Sequence, residues 1–306
     1  MTTAGPAPPI RTDLGPVTVW SSPSLGKYPD GNQLIVRGRD SIAVLDTPLV
    51  SLELNQELEC CDLMILGHVH EDHMVGIGRL ADRPLYVHGA DVAAARSWDG
   101  LARHYGYDAQ ALEPLRLKVF GEFCWQERSD ALAYRDGMRW DLGDVSIQAI
   151  HMPGHTAGHC VLLIEPGGIA FIGDIDLSGF GPYYGDACSS LRDFRLTLAR
   201  MAALPAKVWI TSHHKGIVRS KEAFLEQLQG FAARIETRSE RIVSLLSGQP
   251  GSLNDLVSAG VMYRPGTASE GWMRCAERRC IEQHLVELLD QGRVREVLPG
   301  QFQSLA

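Results

Sequence analysis

Through its first 216 residues the chain alternates short apolar runs with Gly, Pro, Asp and Asn, and only beyond residue 221 does a long helical period take over. Runs at 17–20, 33–37 and 41–45 read as strands, and Gly38-Arg39-Asp40 between the last two has the length of a hairpin loop. Consecutive hairpins predict a mostly antiparallel or mixed sheet. Residues 49–60 are expected to form a helix that leads into the apolar run Leu63-Met64-Ile65-Leu66-Gly67, 74–80 to begin another helix, and 84–88 to add a strand. The order of strand, polar loop, helix and strand is that of an α/β layer arrangement. Residues 1–16, rich in Pro, Gly and Thr, read as a loose lead-in.

Residues 89–136 mix a helix-like alanine run at 91–98 with Trp98, Tyr105, Tyr107, Phe120, Phe123 and Trp125. They are expected to form a partly helical insertion overhanging the functional loops, its aromatics packing as the insertion's own core. Strands follow at 145–150, 160–164, 169–172 and 207–211. Leu191, Phe194, Leu198 and Met201 recur at helical spacing, so 190–203 is a helix that Pro205 ends. In the tail, Phe224, Leu228, Phe231 and Ile235 mark one long helix, and Ile281, Leu285 and Leu288 a second that stops at Gly292 before a strand at 294–297. The expected division is therefore 1–220 and a mainly helical extension at 221–306.

Composition narrows the function classes. With 306 residues, 45% of them hydrophobic and 22% charged, the chain can bury a substantial core. Its net charge of -8 speaks against a dedicated nucleic-acid binder, which needs Lys and Arg in excess, and in favour of a small-molecule substrate. Seven cysteines without a C-x-x-C pair imply reduced thiols and a cytoplasmic setting. Cys275 and Cys280, five apart on a helix, lie on different faces, which argues against their sharing a metal or a disulfide. The N-terminus shows neither a basic start nor an apolar leader, and no apolar stretch approaches the ~20 residues that span a bilayer.

The chemistry concentrates at His68-Val69-His70-Glu71-Asp72-His73, directly after a predicted buried strand. A strand that opens into a turn can aim His68, His70, Asp72 and His73 into one pocket, and four metal-binding side chains in six residues point to a metal site. Further clusters end later strands: Pro153-Gly154-His155-Thr156, Gly173-Asp174, and Ser212-His213-His214-Lys215-Gly216.

The pattern H-x-H-x-D-H, followed in order by these three clusters, resembles the signature motifs of the metallo-β-lactamase superfamily. The resemblance covers about residues 60 to 216. It implies an α/β fold, an αββα sandwich of two mixed sheets flanked by helices, with a helical C-terminal extension that is winged-helix-like from Cys280 to Val297. It implies His68, His70 and His155 as ligands of one divalent metal ion, Asp72, His73 and His213 as ligands of a second, and Asp174 as a bridge. Gly216 and the strand end at Thr211 favour His213 over its neighbour His214 as the last ligand. His159 and His151 read as supporting or packing residues, with His88 and His104 further from the chemistry.

An aspartate at 174 aligns the chain with the hydroxyacylglutathione hydrolase, lactonase and phosphodiesterase branches. Imidazole and carboxylate donors without cysteine suit Zn, with Fe or Mn as alternatives. The reaction implied is attack by a metal-bridging hydroxide on an ester, thioester or lactone, Asp174 and Asp72 being catalytic and Asp72 also passing a proton to the leaving group. A phosphodiesterase on the same site, a mononuclear iron sulfur dioxygenase and a non-enzymatic effector are the competing readings. Tyr183 and Tyr184, in a Gly- and Pro-rich run after the bridging aspartate, are candidates to donate a hydrogen bond to the substrate. The tail is expected to shape the pocket or a contact between copies in a homo-oligomer.

Overall fold

The computed structural model describes residues 7–266 and 270–305. Among these, the first sheet has seven strands in chain order. They are β1 (Ile10–Leu14), β2 (Val17–Ser21), β3 (Gln33–Arg37), β4 (Ile42–Leu45), β5 (Leu63–Ile65), β6 (Leu85–His88) and β7 (Leu132–Tyr134). Pairing is antiparallel from β1 to β4 and parallel from β4 to β7, so the sheet is mixed. The second sheet holds β8 (Arg139–Asp141), β9 (Ser146–His151), β10 (Cys160–Glu165), β11 (Ile169–Phe171), β12 (Val208–Ile210) and β13 (Ile217–Val218). It is antiparallel except where β11 runs beside β12.

The strand period of two sets the layers. In β3, Leu34 and Val36 point into the core between the sheets while Ile35 packs on the helical side; in β10, Leu162 and Ile164 face inward, and Val161 and Leu163 outward. Both faces are covered, which is why these strands read as continuous apolar runs. Helices α1 (Asn55–Glu59), α2 (Val92–Arg96), α3 (Trp98–Tyr105), α4 (Ala109–Gly121) and α5 (Leu191–Met201) belong to the outer layers. No helix among the described residues is long and apolar enough to cross a membrane.

The tail consists of α6 (Lys221–Leu245), α7 (Leu253–Ala259) and α8 (Gly271–Asp290), with a three-stranded antiparallel sheet of β14 (Gly251–Ser252), β15 (Val294–Leu298) and β16 (Gln301–Ser304). Ile242, Leu246, Ile281, Leu285, Leu288 and Val294 form a small core of their own there. Trp209 stacks on Phe224 at 4.3 Å and ties α6 to the second sheet.

Several local expectations need correction. Residues 10–14 are not loose lead-in but β1, made a strand by its pairing with β2; residues 1–6 of that lead-in lie outside the described residues, as do 267–269 and 306 of the tail. The helix expected at 49–60 is a 3-10 turn at Leu49–Glu53 followed by the short α1, and at 74–80 only a 3-10 turn at Ile77–Leu80 forms. Gly76 and Gly78 inside that stretch disfavour a longer helix. All seven cysteines are free thiols.

Candidate metal centre

Every cluster predicted from strand ends arrives at one edge of the sandwich. β5 leads into His68, the β9–β10 turn carries His155, β11 leads into Asp174 and β12 into His213. Cys160 N–H donates to the Gly67 carbonyl at 2.8 Å and holds the first two loops together. Gly154 (φ +134°) lets the second loop pass against the start of α5, where an added Cβ would stand 2.3 Å from the Phe194 backbone. At Gly173 (φ +56°) a Cβ would strike the His159 ring at 2.6 Å.

Two groups of donors face each other across Asp174. On one side, His155 Nε2 lies 3.2 Å from His68 Nε2, 3.0 Å from His70 Nδ1 and 3.3 Å from Asp174 Oδ2. On the other, Asp174 Oδ1 lies 3.3 Å from His73 Nε2 and 3.5 Å from His213 Nε2, and Asp72 Oδ2 stands 3.1 Å from His213 Nε2. Both groups have the spacing of a metal-ligating cluster, His68, His70, His155 and Asp174 in one and Asp72, His73 and His213 in the other. His73 Nε2, His213 Nε2 and Asp174 Oδ1 are buried without a hydrogen-bond partner. Orphaned buried polar atoms are costly, and three that converge fit a cation as their missing partner.

The outward ring atoms are held in turn. His73 Nδ1 bonds Asp46 Oδ2 at 2.8 Å, His213 Nδ1 donates to the Asp30 carbonyl at 2.6 Å, His155 Nδ1 to the Tyr183 carbonyl at 3.0 Å, and His70 Nε2 bonds Asp186 Oδ2 at 2.9 Å. Each bond fixes the tautomer and turns the other nitrogen's lone pair to the centre. Burial pulls the His70 imidazole down, but the Asp186 hydrogen bond and charge lift it to about 9. Against the same burial, Asp174 and Asp72 lift His213 to about 9. The carboxylates thus make the cluster attract positive charge.

His213 belongs to this cluster, and His214 does not: it turns away toward Asp176 Oδ2 at 3.7 Å. His159 supports the centre, accepting the Asp174 N–H, and burial holds it neutral with a pKa of about 3. His104 donates to the Val69 carbonyl, and His88 stacks on His151 at 4.3 Å.

A cavity of about 510 Å³ opens over the centre. His70, Asp72, His155 and Asp174 stand in it together with Tyr28, Tyr105, Tyr107, Phe180, Tyr183, Tyr263 and Trp272. Tyr105 and Tyr107 correct the expectation that the insertion's aromatics serve only its own core; Phe123 and Trp125 are buried outside the cavity lining, Trp125 in the same core as Ile35 and Val44 of the first sheet. Tyr183 reaches the cavity, but Tyr184 does not. The Tyr184 ring is fully buried, and its hydroxyl bonds His284 Nε2 at 2.8 Å and accepts from Arg238 at 3.0 Å, so it has no access to a substrate.

Sequence reasoning missed three carboxylates. Asp46 accepts the Gly67 N–H as well as serving His73. Asp91 accepts from Val69 N, Thr156 Oγ1 and Gly158 N, joining the first and second histidine loops. Asp186 accepts phenol protons from Tyr107 and Tyr183 besides holding His70. Asp46, at the end of an apolar strand, carried the clearest signal; Asp91 opened the alanine run at 91–98, and Asp186 closed the Gly- and Pro-rich run that holds Tyr183 and Tyr184.

The family model described as the metallo-beta-lactamase superfamily matches residues 52–213. A hydroxyacylglutathione hydrolase of Cereibacter sphaeroides is 26% identical over 218 residues, 67% of this chain and 70% of that protein. An acyl-coenzyme A thioesterase of Homo sapiens is 28% identical over 172 residues, 50% of this chain and 61% of its own. A metallo-beta-lactamase family protein of Thermus thermophilus shares the fold over 97% of both chains, with a TM-score of 0.67 at 22% identity.

Proposed function

The chain belongs to the metallo-beta-lactamase superfamily and is a metal-dependent hydrolase, and we propose that it uses two cations, zinc by its donor set, to hydrolyse the thioester of a small molecule. The observation that carries the reading is the division of Asp174, with Oδ2 toward His155 and Oδ1 toward His73 and His213. His68, His70 and His155 would hold one cation, Asp72, His73 and His213 the other, and Asp174 both. Two bound cations supply a water of lowered pKa and a Lewis acid for the acyl oxygen.

The chain's own residues do the rest. Asp46, Asp186 and the Tyr183 carbonyl keep the imidazoles oriented, so little reorganisation is needed when charge develops. The aromatic lining excludes bulk water from the acyl group. Asp72, which faces the cavity, would take a proton from the attacking water as the water oxygen bonds the acyl carbon and pass it to the departing sulfur as the C–S bond breaks, leaving a thiol and a carboxylic acid that ionises to the carboxylate.

Both named relatives act on thioesters, which favours that bond over an oxygen ester or lactone. Among the described residues the cavity lining holds aromatics, carboxylates and two lysines, Lys27 and Lys118, but no arginine, and so favours an acyl substrate over a phosphodiester. A second complete donor group at Asp72, His73 and His213 supports two cations over the single iron of a dioxygenase. The test is a panel of thioesters, lactones and bis(p-nitrophenyl) phosphate on protein of measured metal content. Thioester turnover that tracks metal content is expected; turnover of the phosphodiester alone would overturn the reading.

A further inference from the structure

Building on the thioester reading, we propose that the chain selects its substrate by the length of an apolar acyl group, and that the selecting wall is formed by Tyr263, Trp272 and Met273 of the C-terminal extension. All three line the cavity whose floor is the metal cluster. An acyl carbonyl reacting at that floor must send its hydrocarbon into the remaining space, where Leu115 of α4 and Phe180 complete the apolar surface.

The wall is built to stay in place. The Glu277 carboxylate, 1% exposed, accepts the consecutive N–H groups of Val261, Met262 and Tyr263, the last at 2.9 Å, and so fixes the backbone that presents the Tyr263 ring. That ring meets Phe180 at 5.8 Å, and buried Arg238 holds Phe180 in turn through its carbonyl at 2.9 Å and its ring face at 5.3 Å. Trp272 donates to Glu270 at 2.5 Å, and Lys118 of α4 reaches both, 3.9 Å from the Glu270 carboxylate and 5.9 Å from the indole centre. A rigid apolar surface discriminates length because each buried methylene contributes a similar increment.

The wall faces the acyl half of the substrate rather than the thiol half. Glutathione and coenzyme A carry several charges, and of the two lysines that line the cavity, Lys118, the one beside the Trp272 indole, is already paired with Glu270. An uncharged hydrocarbon needs no such partner.

The experiment measures equilibrium binding of straight-chain carboxylates, acetate to decanoate, by calorimetry, alongside kcat/KM for the matching N-acetylcysteamine thioesters. Affinity should rise roughly fourfold per methylene until the cavity is filled. Tyr263→Ala and Trp272→Ala should each weaken decanoate binding by about tenfold and leave acetate unchanged. Met273→Trp, which fills the space, should depress binding of the long acids only. An affinity indifferent to chain length in the wild type, or variants that keep its slope, would overturn the proposal. If the slope is present but no thioester is turned over, the reaction assigned above fails and the wall stands; turnover without any length dependence does the reverse.

Discussion

Asp186 and His70 are 116 residues apart in the chain, and their side chains meet at 2.9 Å. The bond takes up His70 Nε2 and leaves Nδ1 pointing at His155 and the centre. Because Tyr107 and Tyr183 both donate to the other oxygen of Asp186, the carboxylate is fixed from three directions. The Tyr183 proton is thereby already engaged, so the residue serves the centre more directly through its carbonyl on His155 than as a free donor to substrate.

Replacing Asp186 by Asn should lower metal affinity by about tenfold to a hundredfold, since a neutral amide holds the His70 tautomer less firmly and lowers its basicity. Chelator competition measures this directly. An unchanged affinity would remove Asp186 from that role.

Asp174→Asn keeps the size of the side chain and removes the charge shared between the two donor groups. Metal content, read by elemental analysis, should fall from the two ions per chain proposed above to one or fewer. The partly exposed His151, bonded to the Ala157 carbonyl, is the control: its substitution should leave the content unchanged.

His284 gives a pH dependence away from the centre. Arg238 donates to the Tyr184 oxygen, so the Tyr184 proton goes to His284 Nε2, and His284 Nδ1–H donates to Ser239. Burial, reinforced by Arg238 and Arg195, lowers its pKa to about 3. A histidine depressed in the folded state costs nothing above its ordinary value of about 6.5; as pH falls from there toward 3, the unfolded chain takes up a proton that the folded one refuses. Stability should therefore drop by about 2 kcal/mol at pH 5 from this group alone. Thermal melting of His284→Gln against pH should show a shallower acid slope than the wild type between pH 6.5 and 4.

Glu277→Ala would leave three backbone N–H groups without their acceptor, two of them on the buried residues Val261 and Met262. At about 1–3 kcal/mol per buried unsatisfied group, a loss of about 3 kcal/mol or more is expected by denaturant unfolding. The exposed Glu282, paired with Arg278 at 3.5 Å, should cost about 0.5 kcal/mol or less when changed to Ala.

Much of this was readable before the fold was known, for a local reason. The inner strands, β3 and β4 in one sheet and β10 and β11 in the other, bury both faces, so they stand out as apolar runs, and the residues just beyond the strand ends stand out as polar clusters. Elements whose stability comes from elsewhere were hidden. β1 exists through its ladder with β2, and α4 forms in spite of Pro114 within it. Tyr183 and Tyr184 are neighbours of the same type in the same loop, yet one looks into the cavity and the other toward α6 and α8. Nothing in their own residues distinguishes them, because the difference lies in where those helices pack.

The sequence by itself determined the donor types, their order and the strand ends that carry them, since each depends on residues within a few positions of one another. Only the tertiary structure decided which ring nitrogen and which carboxylate oxygen face the centre. The ring orientations are set by Asp30, Asp46 and Asp186, whose histidine partners lie between 27 and 183 residues away. Such contacts arise from closing the sheets on each other, and no local pattern encodes them.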